Sequence, residues 1–299
     1  MKLLVTGANG SLGHRFVRQH GGKHDITAVV RSAAAAQRMQ ALPVKCIVLD
    51  LHDNEAFTLA ASACDVIVNF VGIIRESAQN SYYQAHEMTA AAILRVADTV
   101  GLQGVISLSI VGADACSENL CLQSRGKADQ LFADSSIATT VLRLPMVLGE
   151  GDMASLALLK KASSTVCFDF RVNSIEQPIY AGDVIAALDQ LLDLPIESRV
   201  LQLGGPESLR RRQLIKLAGS LMGRSPMIQS LPLSLGKFAA GWLQRLMSSP
   251  PVTIAMLELL DHDDVIDNAD ALQALAIDLT PLADMLASLV ENFQNQQQD

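Results

Sequence analysis

The sequence predicts a doubly wound α/β fold: a parallel sheet with helices on both faces, joined to a smaller, mostly helical C-terminal lid. Three observations carry that prediction. β-Branched runs alternate with helical stretches through the first 150 or so residues, the strands are apolar throughout rather than at every second position, and the first strand runs directly into a glycine-rich turn.

Taken in order, "KLLVTG" reads as the first strand and "DITAVVR", "KCIVLD" and "CDVIVNFVG" as the next three. "YYQAHEMTAAAILRVADTVG" reads as one helix, "GVISLSIVG" as the fifth strand, "QSRGKADQLFADS" as a helix and "TTVLRLPMVLG" as the sixth strand. Parallel neighbours need a crossover, which the intervening helices supply. After about residue 149 the alternation loosens. "PIYAGDVIAALDQLL" and "RVLQLGG" read as returns to the sheet, whereas 206–292 is mostly helical, broken by "SLPLS" and "MSSPP". The expected division is therefore 1–148 with returns at about 175–205 for the first domain, 149–174 and 206–292 for the lid, and a disordered tail over 293–299.

Composition excludes several function classes. With 299 residues and 49% hydrophobic residues the chain builds a sizeable core, yet no apolar run reaches the roughly 18 residues that cross a bilayer. The N-terminus has one lysine and only a few apolar residues before its turn, too few for a secretory signal, so a cytoplasmic protein is expected. A net charge of −8 argues against nucleic acid as a partner. Five cysteines (Cys46, Cys64, Cys116, Cys121 and Cys167), odd in number and without a C-x-x-C pair, fit reduced thiols rather than a disulfide frame or zinc site.

The strongest motif is "VTGANGSLG". Gly7, Gly10 and Gly13 follow the first strand and open a helix, with Asn9, Ser11 and Leu12 between and beside them. Glycines there let the chain turn tightly and a pyrophosphate approach the backbone, while the helix N-terminus supplies N–H groups and partial positive charge. A dinucleotide site is the reading. The second strand ends at Arg31 and Ser32, with no acidic residue to hold a ribose 2′-hydroxyl. Arg31 is either a solvent-exposed arginine or a fork for a 2′-phosphate, and the second reading prefers NADP(H) to NAD(H). Asp50 and Leu51, ending the third strand, are expected near the adenine, and Phe70, Val71 and Gly72, ending the fourth, near the adenosine; each is equally explained as strand-end structure.

"TGANGSLG", "AVVRS", "VNFVGIIRES", "YYQAHEMTAAAILRVA", "SLSIVGAD", "SRGKADQLF", "VLRLPMVLG", "QPIYAGDV" and "LQLGGPESL" together resemble the extended and atypical short-chain dehydrogenase/reductases over almost the whole chain. The match is nearest the atypical branch similar to the nucleotide-binding accessory subunit of respiratory complex I, and to NmrA-like and sugar-epimerase-like proteins. The resemblance implies a Rossmann fold, a substrate-binding serine on the fifth strand, then a tyrosine acid and a lysine four residues later that grips the nicotinamide ribose. Ser109 matches the serine, Arg125 stands at the lysine and Cys121 at the tyrosine. It also implies that Pro145 lies at the nicotinamide end and that Gln177 and Tyr180 line the substrate cleft.

The chain departs from the family at its centre. Four residues after Tyr82, Tyr83 and Tyr180 stand His86, Glu87 and Val184, so no tyrosine-x-x-x-lysine motif exists. Cys121 is either a tolerated small residue or a thiol acid, and a thiol is a short, weak donor. Three functions follow: an NADP(H)-binding protein with a structural, sensing or assembly role; an oxidoreductase or sugar-nucleotide epimerase/dehydratase-like enzyme using Cys121, Tyr180 or His86 as acid; or a nucleotide-free scaffold, which the intact glycine turn and Arg31 oppose.

Two further matches are coincidental. "SRGK" has serine-x-x-lysine spacing without its companion elements, and His262, Asp263 and Asp264 diverge as neighbours must, so no metal is expected. The stretch "LSLGKFAAGWLQRLM" places Leu235, Phe238, Trp242 and Leu246 at helical spacing, with Lys237 and Arg245 beside them. By default it is a lid helix packed on the core; the alternative is a docking face, at about 235–247, for a protein partner or membrane surface. A homodimer is the other association considered.

Overall fold

The computed structural model describes residues 1–247, 250, 252–259 and 262–296. The chain forms two compact units: Met1–Arg143 with Leu188–Leu201, and Leu144–Ala187 with Gln202 onward.

The first unit begins β1 (Lys2–Thr6), α1 (Ser11–His20), β2 (Asp25–Val30), α2 (Ala33–Met39), β3 (Lys45–Val48), α3 (Asn54–Ala61) and β4 (Val66–Asn69). A π-helical turn (Gln84–Met88) leads into α4 (Thr89–Val100), followed by β5 (Gly104–Ile110), α5 (Leu120–Ala133) and β6 (Thr139–Leu144). Then come β7 (Val147–Leu148), α6 (Met153–Ser163), β8 (Val166–Phe170), β9 (Ile175–Glu176), β10 (Ile179–Tyr180), α7 (Ala181–Asp193) and β11 (Arg199–Gln202). The chain ends with β12 (Leu209–Arg210), α8 (Arg211–Leu221), β13 (Met227–Leu231), α9 (Leu233–Leu246), α10 (Ile254–Glu258), α11 (Ala269–Leu275) and α12 (Leu282–Asn295).

Seven strands form one sheet in the order β11-β6-β5-β4-β1-β2-β3, and β1 pairs parallel with both β2 and β4. The chain order reverses between β1 and β4, the switch point beyond whose strand ends α/β sheets bind ligands. Leu4, Ile67, Val105 and Val141 of the strands pack with Phe57, Ile93 and Phe132 of the helices, each burial contributing about 1.5–3 kcal/mol. The fold is the Rossmann-type α/β fold that the sequence predicts.

The second unit has its own core, in which Leu158, Leu159, Leu214, Ile215, Leu286 and Leu289 bring α6, α8 and α12 together. It is helical with three small two-stranded pairings, β10-β7, β12-β9 and β13-β8. The stretch returning to the large sheet is shorter than 175–205. Only Leu188–Leu201 joins the first unit, while β9 and β10 pair within the second.

One local reading changes. Helix α12 continues to Asn295, because Leu286, Leu289, Val290 and Phe293 keep its apolar face buried past the expected boundary at 292, and residues 297–299 of the expected tail lie outside the described residues. The helix expected from Tyr82 onward runs unbroken to Val100, with a π turn at Gln84–Met88 set into it, where the Thr89 hydroxyl also donates to the Gln84 carbonyl at 3.1 Å.

Candidate cofactor site

The ends of β1, β2, β3 and β4 frame an open cleft, all within the first unit. Gly7 and Gly10 line it from the turn, Arg31 from the end of β2, and Asp50 from beyond β3. Gly7 sits at φ +69°, and a Cβ there would lie 2.8 Å from the Phe70 carbonyl carbon. Only glycine lets the turn approach the end of β4 so closely. Gly10 is the N-cap of α1 and offers no side chain to it, so the first N–H groups of a ten-residue helix are left for an anion.

A buried polar chain holds these strand ends in register. Thr6 Oγ1 donates to Asn69 Oδ1 at 2.7 Å, Asn69 Nδ2 donates to Ser107 Oγ at 3.0 Å, and Asn69 Oδ1 also accepts from the Val71 N–H. Asn69 thus fixes Val71, a lining residue. At the outer end Asp50 Oδ1 accepts the His52 N–H at 3.0 Å, and Ser32 Oγ accepts the Ala35 N–H as the cap of α2.

The groups standing where the family keeps its acid are arranged differently. Cys121 is fully buried, and its thiol donates to the Ile73 carbonyl at 3.5 Å. Burial pushes that thiol up to about 11, against the pull of the neighbouring Arg125 charge. At the other backbone group of the same residue, His86 Nε2 accepts the Ile73 N–H at 3.2 Å, a bond only an unprotonated nitrogen can make. Burial, with the Arg125 charge, lowers His86 to about 3, so the ring is neutral at physiological pH; its Nδ1 is buried with no hydrogen-bond partner. Tyr82 Oη donates to the Ile74 carbonyl, and the Tyr82 N–H to Glu76 Oε1. Together these bonds pin the loop that carries Ile73 and Asn80 into the cleft wall.

Arg125 lies across Gly72. A Cβ on Gly72 would overlap Arg125 Nη2 at 1.4 Å, so glycine is required for that close approach, and Nη1 donates to the Leu108 carbonyl at 3.2 Å. Burial lowers Arg125 from its ordinary value, opposed by the Asp129 carboxylate. Ser109, 4% exposed, donates to Asp129 Oδ2 at 3.0 Å, and the same oxygen receives Arg143 Nε at 2.8 Å. Burial raises Asp129 from the usual carboxylate range, while the Ser109 and Arg143 bonds hold it down.

Nine expected residues meet at the cleft: Gly7, Asn9, Gly10, Arg31, Asp50, Leu51, Phe70, Val71 and Gly72. Ser11, Leu12 and Gly13 begin α1 behind it. Ser32 is a helix cap rather than a wall residue. The other expected residues are placed as follows. Ser109 is turned to Asp129 inside the fold, and Arg125 backs Gly72 instead of lining the cleft. Gln177 is a buried structural amide of the second unit: Nε2 donates to the Gly205 and Ile266 carbonyls, and Oε1 accepts from the Ile266 N–H and Ser208 Oγ. Tyr180 also belongs to the second unit and donates to Glu150 Oε1 at 2.6 Å; Pro145 lies there too, half-buried between β6 and β7. Asn69, His52, Asn80, Gln84 and Thr89 were not anticipated, although His52 stands two residues after Asp50 and Asn69 ends a strand already assigned to the site. Among the described residues, no group of three His, Cys, Asp or Glu side chains could hold a metal ion.

Residues 7–165 match the family model described as NAD(P)H-binding, more than half of the chain. The chain belongs to that NAD(P)H-binding family. No curated protein matches it in sequence. Among solved structures it is similar to UDP-glucuronic acid 4-epimerase from Bacillus cereus, in complex with UDP-glucuronic acid and NAD, at 18% identity and TM-score 0.76 over 99% of this chain and 100% of that one. It is similar to a nucleoside-diphosphate-sugar epimerase from Staphylococcus aureus, at 18% identity and TM-score 0.76 over 96% and 100% of the two chains. It is also similar to dTDP-glucose 4,6-dehydratase from Bacillus anthracis, in complex with NAD, at 12% identity and TM-score 0.76 over 100% and 98%. At these identities the likeness is one of fold.

The family's ligand fits the residues present. The glycine turn and the uncapped start of α1 suit a pyrophosphate, and Asp50, Leu51 and Val71, which line the cleft, would stand beside an adenosine bound there. A bound nicotinamide dinucleotide supplies hydride transfer. The chain's own part is to hold it through backbone N–H groups and to keep the cleft wall rigid through Asn69, His86, Cys121 and Tyr82.

Proposed function

We propose that the protein binds NADP(H) in preference to NAD(H) and lacks the proton relay of a reductase, so that the dinucleotide serves a structural, sensing or assembly role. One observation carries this reading. Of the side chains around Cys121, three are committed to internal bonds, Cys121 to Ile73, Ser109 to Asp129 and Tyr82 to Ile74, and His86 is a neutral, buried ring that accepts from Ile73. A positioned general acid contributes about 10²- to 10⁴-fold to such reactions, and none of these groups is free to supply it.

The NADP(H) preference rests on Arg31, exposed at the cleft rim with no acidic residue next to it in sequence. A charge-assisted contact to a 2′-phosphate contributes about 1.5–3 kcal/mol, or about ten- to a hundredfold. Titration calorimetry should show NADPH binding more tightly than NADH by about that ratio, and Arg31→Ala should erase the difference while leaving NADH affinity unchanged. Equal affinities in the unaltered protein would overturn the preference. The fold shared with epimerases and a dehydratase of nucleotide sugars makes those sugars the panel for the alternative, an oxidoreductase or epimerase-like enzyme. We expect NADPH oxidation at background rates on that panel, and robust turnover on any member would replace the binding role with catalysis.

A further inference from the structure

Helix α9 shows three faces. Gly236 packs against the Phe170 ring and Leu257, and Ala240 is buried, which defines the side turned to the second unit. At about 100° per residue, Lys237 and Arg245 fall on a polar arc. Leu235, Phe238, Trp242 and Leu246 fall on a third arc roughly 100° wide, and all four are exposed: 57%, 67%, 52% and 75%. The expected packing of these four against the core is therefore not what the fold does with them.

The apolar surface continues beyond the helix. Phe168 and Phe170 are two residues apart on β8 and so share a face of the β8-β13 pair, and α9 covers only the Phe170 end of it. Phe168 and Met227 are left open, 61% and 59% exposed.

Charge indicates what covers this surface. From Ser208 to Leu257 the chain has seven basic residues (Arg210, Arg211, Arg212, Lys216, Arg224, Lys237, Arg245) and no acidic one, although it carries 31 acidic residues elsewhere and a net charge of −8. Arg210, Lys216, Arg224 and Arg245 are exposed. Arg211 and Lys237 are paired, with Glu176 and Glu258. A second copy docked on this face would bring like charges together, whereas an anionic surface complements it. No helix among the described residues is long and apolar enough to cross a membrane, so the contact is peripheral.

We propose that α9, with the open end of β8 and β13, docks the protein onto an anionic lipid surface. Leu235, Phe238, Trp242 and Leu246 enter the interface and Arg245, exposed on the adjoining arc of α9, faces the headgroups. This goes beyond dinucleotide binding and does not depend on it. Trp242 is the only tryptophan, which makes it a reporter of the event. With vesicles of phosphatidylglycerol and phosphatidylcholine, the full-length protein should co-sediment and its fluorescence should shift to the blue. Partitioning should fall at least about tenfold in high salt, and likewise in Phe238→Glu and, independently, in Leu246→Glu, with NADPH affinity retained in both variants as proof of folding. Failure to co-sediment with anionic vesicles, equal binding to pure phosphatidylcholine, or a blue shift that depends on protein concentration without vesicles and accompanies a dimer mass would each overturn the proposal.

Discussion

The two ends of the first unit's polar machinery differ in where their side chains point. Around Gly7, Gly10, Arg31 and Asp50 the backbone and the charged groups are turned outward into an open cleft. Around Ser109, Cys121, His86 and Arg125 the polar groups are turned inward, bonded to a carbonyl, an amide or a buried carboxylate, apart from His86 Nδ1, which is buried without a partner. The difference teaches that a ligand-binding edge depends on backbone shape, whereas a proton relay depends on free side-chain donors, so one sheet can carry the first without the second.

The most direct way to break the comparison is at Asp129, which receives both Ser109 and Arg143 on one oxygen. Asp129→Ala leaves a buried hydroxyl and a half-buried guanidinium without their acceptor and should cost about 3 kcal/mol in urea unfolding. Asp129→Asn keeps an acceptor and should cost less. If the inward end is purely structural, NADPH affinity should stay within about threefold in whichever variant folds; a larger loss would mean that Ser109 or Asp129 reaches the ligand after all.

Much of the open end was legible in the sequence, and much of the closed end was not, for one physical reason. A glycine turn after an apolar strand declares itself within ten residues, and strand ends follow from β-branched runs, so Gly7, Arg31, Asp50 and Phe70 could be placed from local pattern. The inward bonds join residues far apart, Cys121 to Ile73 and Ser109 to Asp129, and depend on side-chain direction that no local pattern states. Asp129 did leave a trace, four residues after Arg125 and hence one turn along the same helix face. Helix α9 posed a different ambiguity: its periodicity marks an apolar stripe, but only the small pair Gly236 and Ala240, four residues apart, hints that the packed face is elsewhere.

A subtler test uses pH. His86 has its folded value lowered to about 3 from an ordinary 6.5, so between those values the unfolded chain binds a proton that the folded chain does not. The stability His86 contributes is therefore present above about 6.5 and lost as pH falls toward 3, at about 1.4 kcal/mol per pH unit for one proton. His86→Gln, whose amide oxygen can still accept the Ile73 N–H, should flatten the acid limb of the stability curve by that slope. Parallel curves for the two proteins across pH 4–6 would mean that His86 is not held neutral.

The smallest effect should come from the residue that stands where the catalytic tyrosine is expected. Cys121→Ala removes a weak thiol–carbonyl bond and one sulfur's worth of packing, a cost of about 1–2 kcal/mol, and leaves His86 holding the other side of Ile73. Because the thiol is fully buried and pushed up to about 11, it should resist alkylation at pH 8 in the folded protein, while the exposed Cys116 reacts. Peptide mapping after iodoacetamide treatment checks both sites at once. Any residual NADPH oxidation should be unchanged in Cys121→Ala, since the buried thiol directs its proton to the Ile73 carbonyl and not to a substrate. Rapid labelling of Cys121, joined to loss of turnover in Cys121→Ala, would show that this inward end opens, and would move the protein from a holder of dinucleotide to an enzyme with a thiol acid.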